Sequence, residues 1–275
     1  VRLFVFGLGY TAQALARRLR GAGWQVTGTG RGGAVDFDDA DAVHRALATA
    51  THILSSVPPA DELDPVLQRH GDALAKSGAW LGYLSSTGVY GDAAGAWVDE
   101  TAPIGRGRRV ARSEADAAWL ARGARVFRLP GIYGPGRSAL ERVAAGTAHR
   151  TGLADQVFSR VHVDDIVTGV IAGFDAPPGA YNLADDRPAS HDDVVGFAAR
   201  LLGLPLPPLA PLERLSPMAR GFYAENRRIA TTKGKRLLGW RPRYPDYRAG
   251  LRSVSAISSP AITSAPPTID SVDQR

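Results

Sequence analysis

With 275 residues, 44% of them apolar and 22% charged, the chain can bury a proper core in one or two units, which excludes a disulfide mini-protein, a collagen-like chain and a wholly disordered one. Cysteine is absent, which removes disulfides, cysteine zinc sites and a thiol nucleophile and fits a reducing compartment, with the cytoplasm as the default. Lysine and arginine outnumber acids by 33 to 27, but only Lys76, Lys233 and Lys235 are lysines, and scattered arginine suits small anionic ligands at least as well as nucleic acid.

No stretch is long and apolar enough to span a bilayer, and residues 1–6 run into glycine rather than into a signal-peptide cleavage region, so a soluble, unprocessed chain is expected. Short β-rich runs at residues 3–6, 25–29, 52–57, 80–85 and 125–129 alternate with helical patterns at 12–20, 39–48, 65–76 and 110–121. That alternation predicts an α/β fold, a Rossmann-type doubly wound parallel sheet over residues 1–130. A turn-rich segment at 130–137 follows, then a helix near 139–145, a strand at 157–163, a helix from Asp164 and a strand at 180–183. Residues 192–202 form an amphipathic pattern through Val194, Val195, Ala198, Leu201 and Leu202. Together these predict a smaller C-terminal substrate lobe, residues 131–252, laid over the open crevice of the sheet. Residues 253–275, rich in Ser, Pro, Ala and Thr, read as a flexible tail.

Gly7-Leu8-Gly9-Tyr10-Thr11-Ala12 joins the first strand to a helix whose Ala12, Leu15, Ala16 and Leu19 share one face. Gly7 allows a tight turn, Gly9 lets the backbone approach a pyrophosphate, and Ala12 permits close helix-to-strand packing. The free N–H groups of Tyr10 and Thr11 then face the anion along the helix dipole. The second strand ends Thr27-Gly28-Thr29-Gly30-Arg31, with no acid to accept from ribose hydroxyls. Arg31 can pair with a 2′-phosphate and Thr29 can donate to it, so NADP(H) is favoured over NAD(H).

These segments, with Ser85-Ser86-Thr87-Gly88-Val89-Tyr90-Gly91, Arg128-Leu129-Pro130-Gly131-Ile132-Tyr133-Gly134, Val161-His162-Val163-Asp164-Asp165, Tyr181-Asn182-Leu183-Ala184 and Leu238-Gly239-Trp240-Arg241-Pro242, run in order over residues 1 to about 250. Their set resembles the extended short-chain dehydrogenase/reductase group, the NAD(P)-dependent epimerase/dehydratase-like proteins. The resemblance implies that Asp36 binds the adenine amino group and that Ser55 and Ser56 lie beside the nicotinamide ribose. It implies that Ser86 is the hydroxyl that polarises the reacting oxygen, with Thr87 as its neighbour and substitute. Pro130 opens a loop, to Gly134, that borders the nicotinamide, and His162 with Asp164 form an architectural turn and helix start.

The group's Tyr-x-x-x-Lys proton relay is missing: no tyrosine lies between Tyr90 and Tyr133, and no Tyr-x-x-x-Lys occurs anywhere. Aligning Glu114 with the glutamate that follows the lysine puts the two relay positions at Arg106 and Val110; other registers put Arg108 or Arg109 in place of the tyrosine. Arginine is no general acid near neutral pH. Tyr133 and Tyr90 are the remaining hydroxyls that could reach a nicotinamide. Phe158 stands where nucleotide-sugar epimerases carry an arginine for the diphosphate. The cluster Arg106, Arg108, Arg109 and Arg112 suits a phosphorylated or carboxylate substrate and lacks the interleaved aromatics of a single-strand platform.

Three functions follow as expectations. The leading one is an NADP(H)-binding oxidoreductase-like protein acting on a small carbonyl or alcohol. The others are a non-catalytic NADP(H) sensor or assembly factor, and a nucleotide-sugar epimerase/dehydratase with an unusual acid/base. The expected partner is a small-molecule substrate, anionic in the reading of the arginine cluster, with no metal, nucleic acid or membrane; oligomeric state stays open.

Overall fold

The protein is described by a computed structural model covering residues 1–60, 63–108 and 110–258. Its first half is built from β1 (Arg2–Phe6), α1 (Tyr10–Arg20), β2 (Gln25–Gly28), α2 (Ala40–Thr49), β3 (His52–Ser55), α3 (Pro65–Lys76), β4 (Trp80–Ser86), β5 (Trp97–Val98), α4 (Val110–Ala121) and β6 (Arg125–Leu129). The second half contains β7 (Gly131–Tyr133), α5 (Ala139–Ala144), β8 (Val157–Phe158), β9 (Arg160–His162), α6 (Val163–Ala172), β10 (Gly179–Asn182), β11 (Ala189–Ser190), α7 (His191–Leu202), α8 (Pro217–Tyr223), β12 (Arg228–Ile229), α9 (Thr232–Leu237) and α10 (Tyr247–Ser258).

The five expected strands form one parallel sheet with β10 added at its edge, in the order β10-β6-β4-β3-β1-β2. Helices cover both faces of the sheet, and alternate residues of its central strands feed opposite cores. Leu3 and Val5 of β1 pack with Leu15 of α1 and Ile166 and Val170 of α6, while Phe4 and Phe6 pack with α2, α3 and α4. A third core joins α5, α7 and α10 in the C-terminal lobe. Helix starts are fixed locally: the Asp64 carboxylate accepts from the Val66 and Leu67 N–H groups, both at 2.9 Å, with Pro65 following, and Ser138 with Glu141 closes a capping box on α5.

The strand expected over residues 157–163 is broken at Ser159 into β8 and β9, which pair with different partners, β11 and β7. The expected flexible tail begins inside α10: Val254 is fully buried, so the first part of that segment is core-forming helix, and residues 259–275 lie outside the described residues. Strand order reverses between β1 and β3, and the crevice beyond their carboxyl ends is where open α/β sheets hold ligands. Gly7 and Ser56 stand at that crevice.

Candidate cofactor and substrate cleft

The turn after β1 is braced from two sides. Gly7 takes φ +82°, where a Cβ would be strained and would press on Val57 and Ser56. Its N–H donates to Thr29 Oγ1 at 3.1 Å, and its carbonyl accepts from the Ser56 hydroxyl. A Cβ at Gly9 would meet nothing within 4 Å, so the space before α1 is open. Gln13 makes the first backbone bond of α1, to the Gly9 carbonyl at 2.8 Å; the N–H groups of Tyr10, Thr11 and Ala12 precede it and have no partner within the helix. Gly9 at the N-cap offers no side-chain oxygen to them. An open floor, unpaired N–H groups and the positive end of a helix dipole fit a dinucleotide diphosphate.

Two residues of this turn do other work than expected. Thr29 is 1% exposed and its Oγ1 accepts from the Gly7 N–H, so it shapes the turn from beneath. Leu8 is a core residue whose contribution to the crevice is its backbone, and Ala12 is buried, as close packing of α1 on the sheet requires. Tyr10 reaches across to the lobe: its hydroxyl donates to the Pro135 carbonyl at 3.0 Å, and the Arg137 guanidinium lies 5.5 Å from its ring centroid. Arg31 is exposed and has no acidic partner among the described residues. Asp36 is also exposed, and one of its oxygens accepts from the Asp38 N–H at 3.0 Å. Ser55, by contrast, is fully buried with its hydroxyl unpartnered, so it does not reach the crevice; Ser56 does.

At the end of β4, Ser86 caps a one-turn helix, Thr87–Tyr90, and its half-buried Oγ accepts from the Gly88 N–H at 3.1 Å. That bond leaves the hydroxyl proton free to donate. Thr87 is buried and is no substitute for it. Pro130, half-buried, links β6 to β7 across from this loop.

Tyr133 is a correction to the expected site. It is 7% exposed, sits in the lobe core, and presses its hydroxyl on Gly250 of α10, where a Cβ would overlap it; the ring meets His162 edge-on at 5.2 Å. Burial, aided by Asp185 and Asp165, pushes its pKa far up. Tyr90 is equally engaged: its hydroxyl donates to Asn182 Oδ1 at 2.7 Å and accepts from Arg128 at 3.0 Å, and burial pushes its pKa up to about 12. Neither tyrosine is an acid aimed at a nicotinamide.

Under this loop lies a network absent from the sequence reading. Arg128 grips Asp116 through two bonds, Nε to Oδ2 at 3.0 Å and Nη2 to Oδ1 at 2.7 Å, while the Ser85 hydroxyl donates to Oδ2 at 2.6 Å. Both ions are buried. The inward acid of α4 is therefore Asp116; Glu114 is exposed, and Val110 is 55% exposed. Stepping back from Asp116 at the relay spacing of four reaches Arg112 and Arg108, so the geometry favours those positions over Arg106 and Val110. Arg108 is drawn toward the lobe: its N–H donates to Glu225 at 3.0 Å, and its guanidinium lies 4.9 Å from the Phe222 ring centroid. Arg227 reaches Glu225 and the Gly91 carbonyl, each at 2.7 Å. Arg106 is exposed without a side-chain partner among the described residues, and Arg109 lies outside them.

Beyond this, Phe158 meets Tyr223 edge-on at 5.6 Å, and Arg160 donates to the carbonyls of Phe158 and Ala189, at 2.7 and 2.9 Å. Burial lowers the Arg160 pKa to about 10. His162 caps α6, its Nδ1 accepting from the Asp164 N–H at 3.2 Å, which is the architectural role expected of it. No helix among the described residues is long and apolar enough to cross a membrane.

No family model matches the chain. It is 42% identical to a conserved protein of unknown function from Silicibacter pomeroyi, over 93% of this chain and 98% of that one, with a TM-score of 0.83. It is 29% identical to Protein YeeZ of Escherichia coli K12, over 89% of this chain and 97% of that protein. The fold is shared with the human epimerase family protein SDR39U1, solved with NADPH: TM-score 0.70 at 18% identity, covering 93% of this chain and 99% of that one. By its full-length match the chain belongs to the same family as the Silicibacter protein, and it shares the fold of the epimerase family protein SDR39U1.

Proposed function

We propose that this protein is an NADP(H)-dependent oxidoreductase-like enzyme that acts on a small anionic carbonyl or alcohol without a Tyr-x-x-x-Lys relay. The observation that carries the reading is the open turn at Gly9 beside an exposed, acid-free Arg31. When bound, the nicotinamide supplies hydride exchange. The N–H groups of Tyr10, Thr11 and Ala12 hold the diphosphate, Arg31 pairs with the 2′-phosphate, and Asp36 accepts from the adenine amino group. Ser86 donates its free hydroxyl proton to the substrate oxygen, polarising it. Arg106 attracts the anionic part of the substrate, and ordered water supplies the proton that no tyrosine here can deliver. Fold neighbours solved with NADPH or with NAD support a nicotinamide dinucleotide, and the choice of NADP(H) rests on Arg31.

The test is a fluorescence titration with NADPH and NADH, followed by a carbonyl panel scored for NADPH oxidation. Tighter NADPH binding with Ser86-dependent turnover is the expected result; tighter NADH binding would remove the Arg31 argument. Tight NADPH binding with no turnover would favour the second reading, a non-catalytic NADP(H) sensor, which the burial of Tyr90 and Tyr133 already supports. A nucleotide-sugar epimerase is disfavoured because Phe158 is packed on Tyr223 and Arg160 is committed to backbone carbonyls.

A further inference from the structure

A cleft of about 390 Å³ opens on the C-terminal lobe between the 186–190 segment, the β5/β12 pair and the start of α10. Neither Ser86, Arg31, Arg106 nor any residue of the glycine turn lines it. Three guanidinium groups border it: Arg187, Arg228 and Arg248. Arg187 is exposed and makes no side-chain bond or ion pair among the described residues. Arg248 lies 4.6 Å from the Tyr247 ring centroid and has no acidic partner among the described residues, while Arg228 donates one nitrogen to the Gly95 carbonyl. The two carboxylates at the rim are already engaged: Asp186 pairs with Lys235, and Asp193 accepts from the Ser190 hydroxyl at 2.9 Å. The cleft therefore presents unfilled cationic donors to solvent.

Its wall supplies a ring. Trp97 is 57% exposed, and it is the register partner of Arg228 in the parallel β5/β12 ladder, so the indole and that guanidinium leave the strands on one face. A large exposed indole beside uncommitted arginines is costly to leave bare and well suited to cover a flat ligand.

We infer that this cleft is a second ligand site, separate from the dinucleotide crevice, for a small planar ring carrying an oxyanion. The guanidinium forks match a phosphate or carboxylate, the indole stacks the ring, and the volume suits a molecule of one or two rings. Unlike the reading of the crevice, this inference does not depend on cofactor binding.

The test titrates the full chain with phenyl phosphate and with benzoate, following heat and tryptophan fluorescence, with inorganic phosphate and phenol as separate arms. At least one ring anion binds and quenches fluorescence, while phosphate or phenol alone binds about tenfold more weakly or not at all. The pair Arg187→Ala and Arg248→Ala, which breaks no side-chain hydrogen bond among the described residues, weakens binding about tenfold or more. Trp97→Phe removes the quench but keeps the heat. An Arg31→Glu variant binds the ring anion unchanged, so failure in the crevice and failure here are separable. Absence of binding by both ring anions, or binding indifferent to the loss of both arginines, overturns the inference.

Discussion

Arg128 and Asp116 form a doubly hydrogen-bonded ion pair, both partners buried, directly beneath the strand end that carries Ser86. Ser85 on one side and Tyr90 on the other extend the network, so β4, α4, β6 and, through Asn182, β10 are tied at one point. Removing one partner leaves a bare buried charge. Asp116→Ala is expected to lower unfolding stability by about 3–5 kcal/mol in a urea titration. Replacing both ions with apolar residues of similar volume, Asp116→Leu with Arg128→Met, recovers part of that loss. A single-variant loss below about 1 kcal/mol would show that the pair is not the clamp described.

The two glycines of the turn separate fold from binding. Gly9 has φ −86° and open space ahead, so Gly9→Val should change stability by only about 0.5–1 kcal/mol yet block NADPH, seen as loss of the fluorescence titration. Gly7→Ala should instead destabilise the fold by about 1–2 kcal/mol, because φ is +82° and Ser56 and Val57 crowd the position. Equal effects of both substitutions on stability would contradict this division.

Tyr133→Phe tests the removal of Tyr133 from the site. Its hydroxyl is buried without a partner, so deleting it should leave stability unchanged or raise it by about 1 kcal/mol, and should leave turnover unchanged. Ser86→Ala is the contrasting variant: turnover falls about 100-fold or more while NADPH affinity holds. A large turnover loss in Tyr133→Phe would restore that residue as a proton donor.

The central sheet was legible because short β-rich runs alternate with helical patterns, as a parallel sheet requires, and α3 and α4 match their expected bounds since Pro65 and the apolar spacing of α4 leave little choice. The lobe was less so. Two-residue strands such as β8, β11 and β12 carry no periodicity, and α10 hides in a Ser- and Ala-rich segment whose burial depends on α5 and α7. The cofactor turn was readable from Gly7, Gly9 and Ala12 because backbone conformation restricts residue type. The relay register was not, since Glu114 and Asp116 are both acids on one helix and only packing shows which turns inward. The depth of Thr29 and Ser55 was not legible for a related reason: alternation along a short strand does not say how deep the residues at its end lie.

Asp185 makes the pH dependence of stability testable. It is 2% exposed with no side-chain hydrogen-bond partner, and desolvation, only partly offset by Arg160 and by the Arg187 N–H, pushes its pKa up to about 8. In the unfolded chain the same group titrates near its ordinary value, about 4. The native state therefore holds this proton over a window in which the unfolded state has released it. Stability from this group is full below about pH 4 and is lost steadily as pH rises toward about 8. Asp185→Asn removes the charge without changing shape, so the urea midpoint should become flatter between those pH values and should exceed that of the parent protein at pH 8. If the parent shows no fall across that window, or the variant keeps the same fall, the carboxyl is satisfied by a partner such as Arg160 and its burial carries no net penalty.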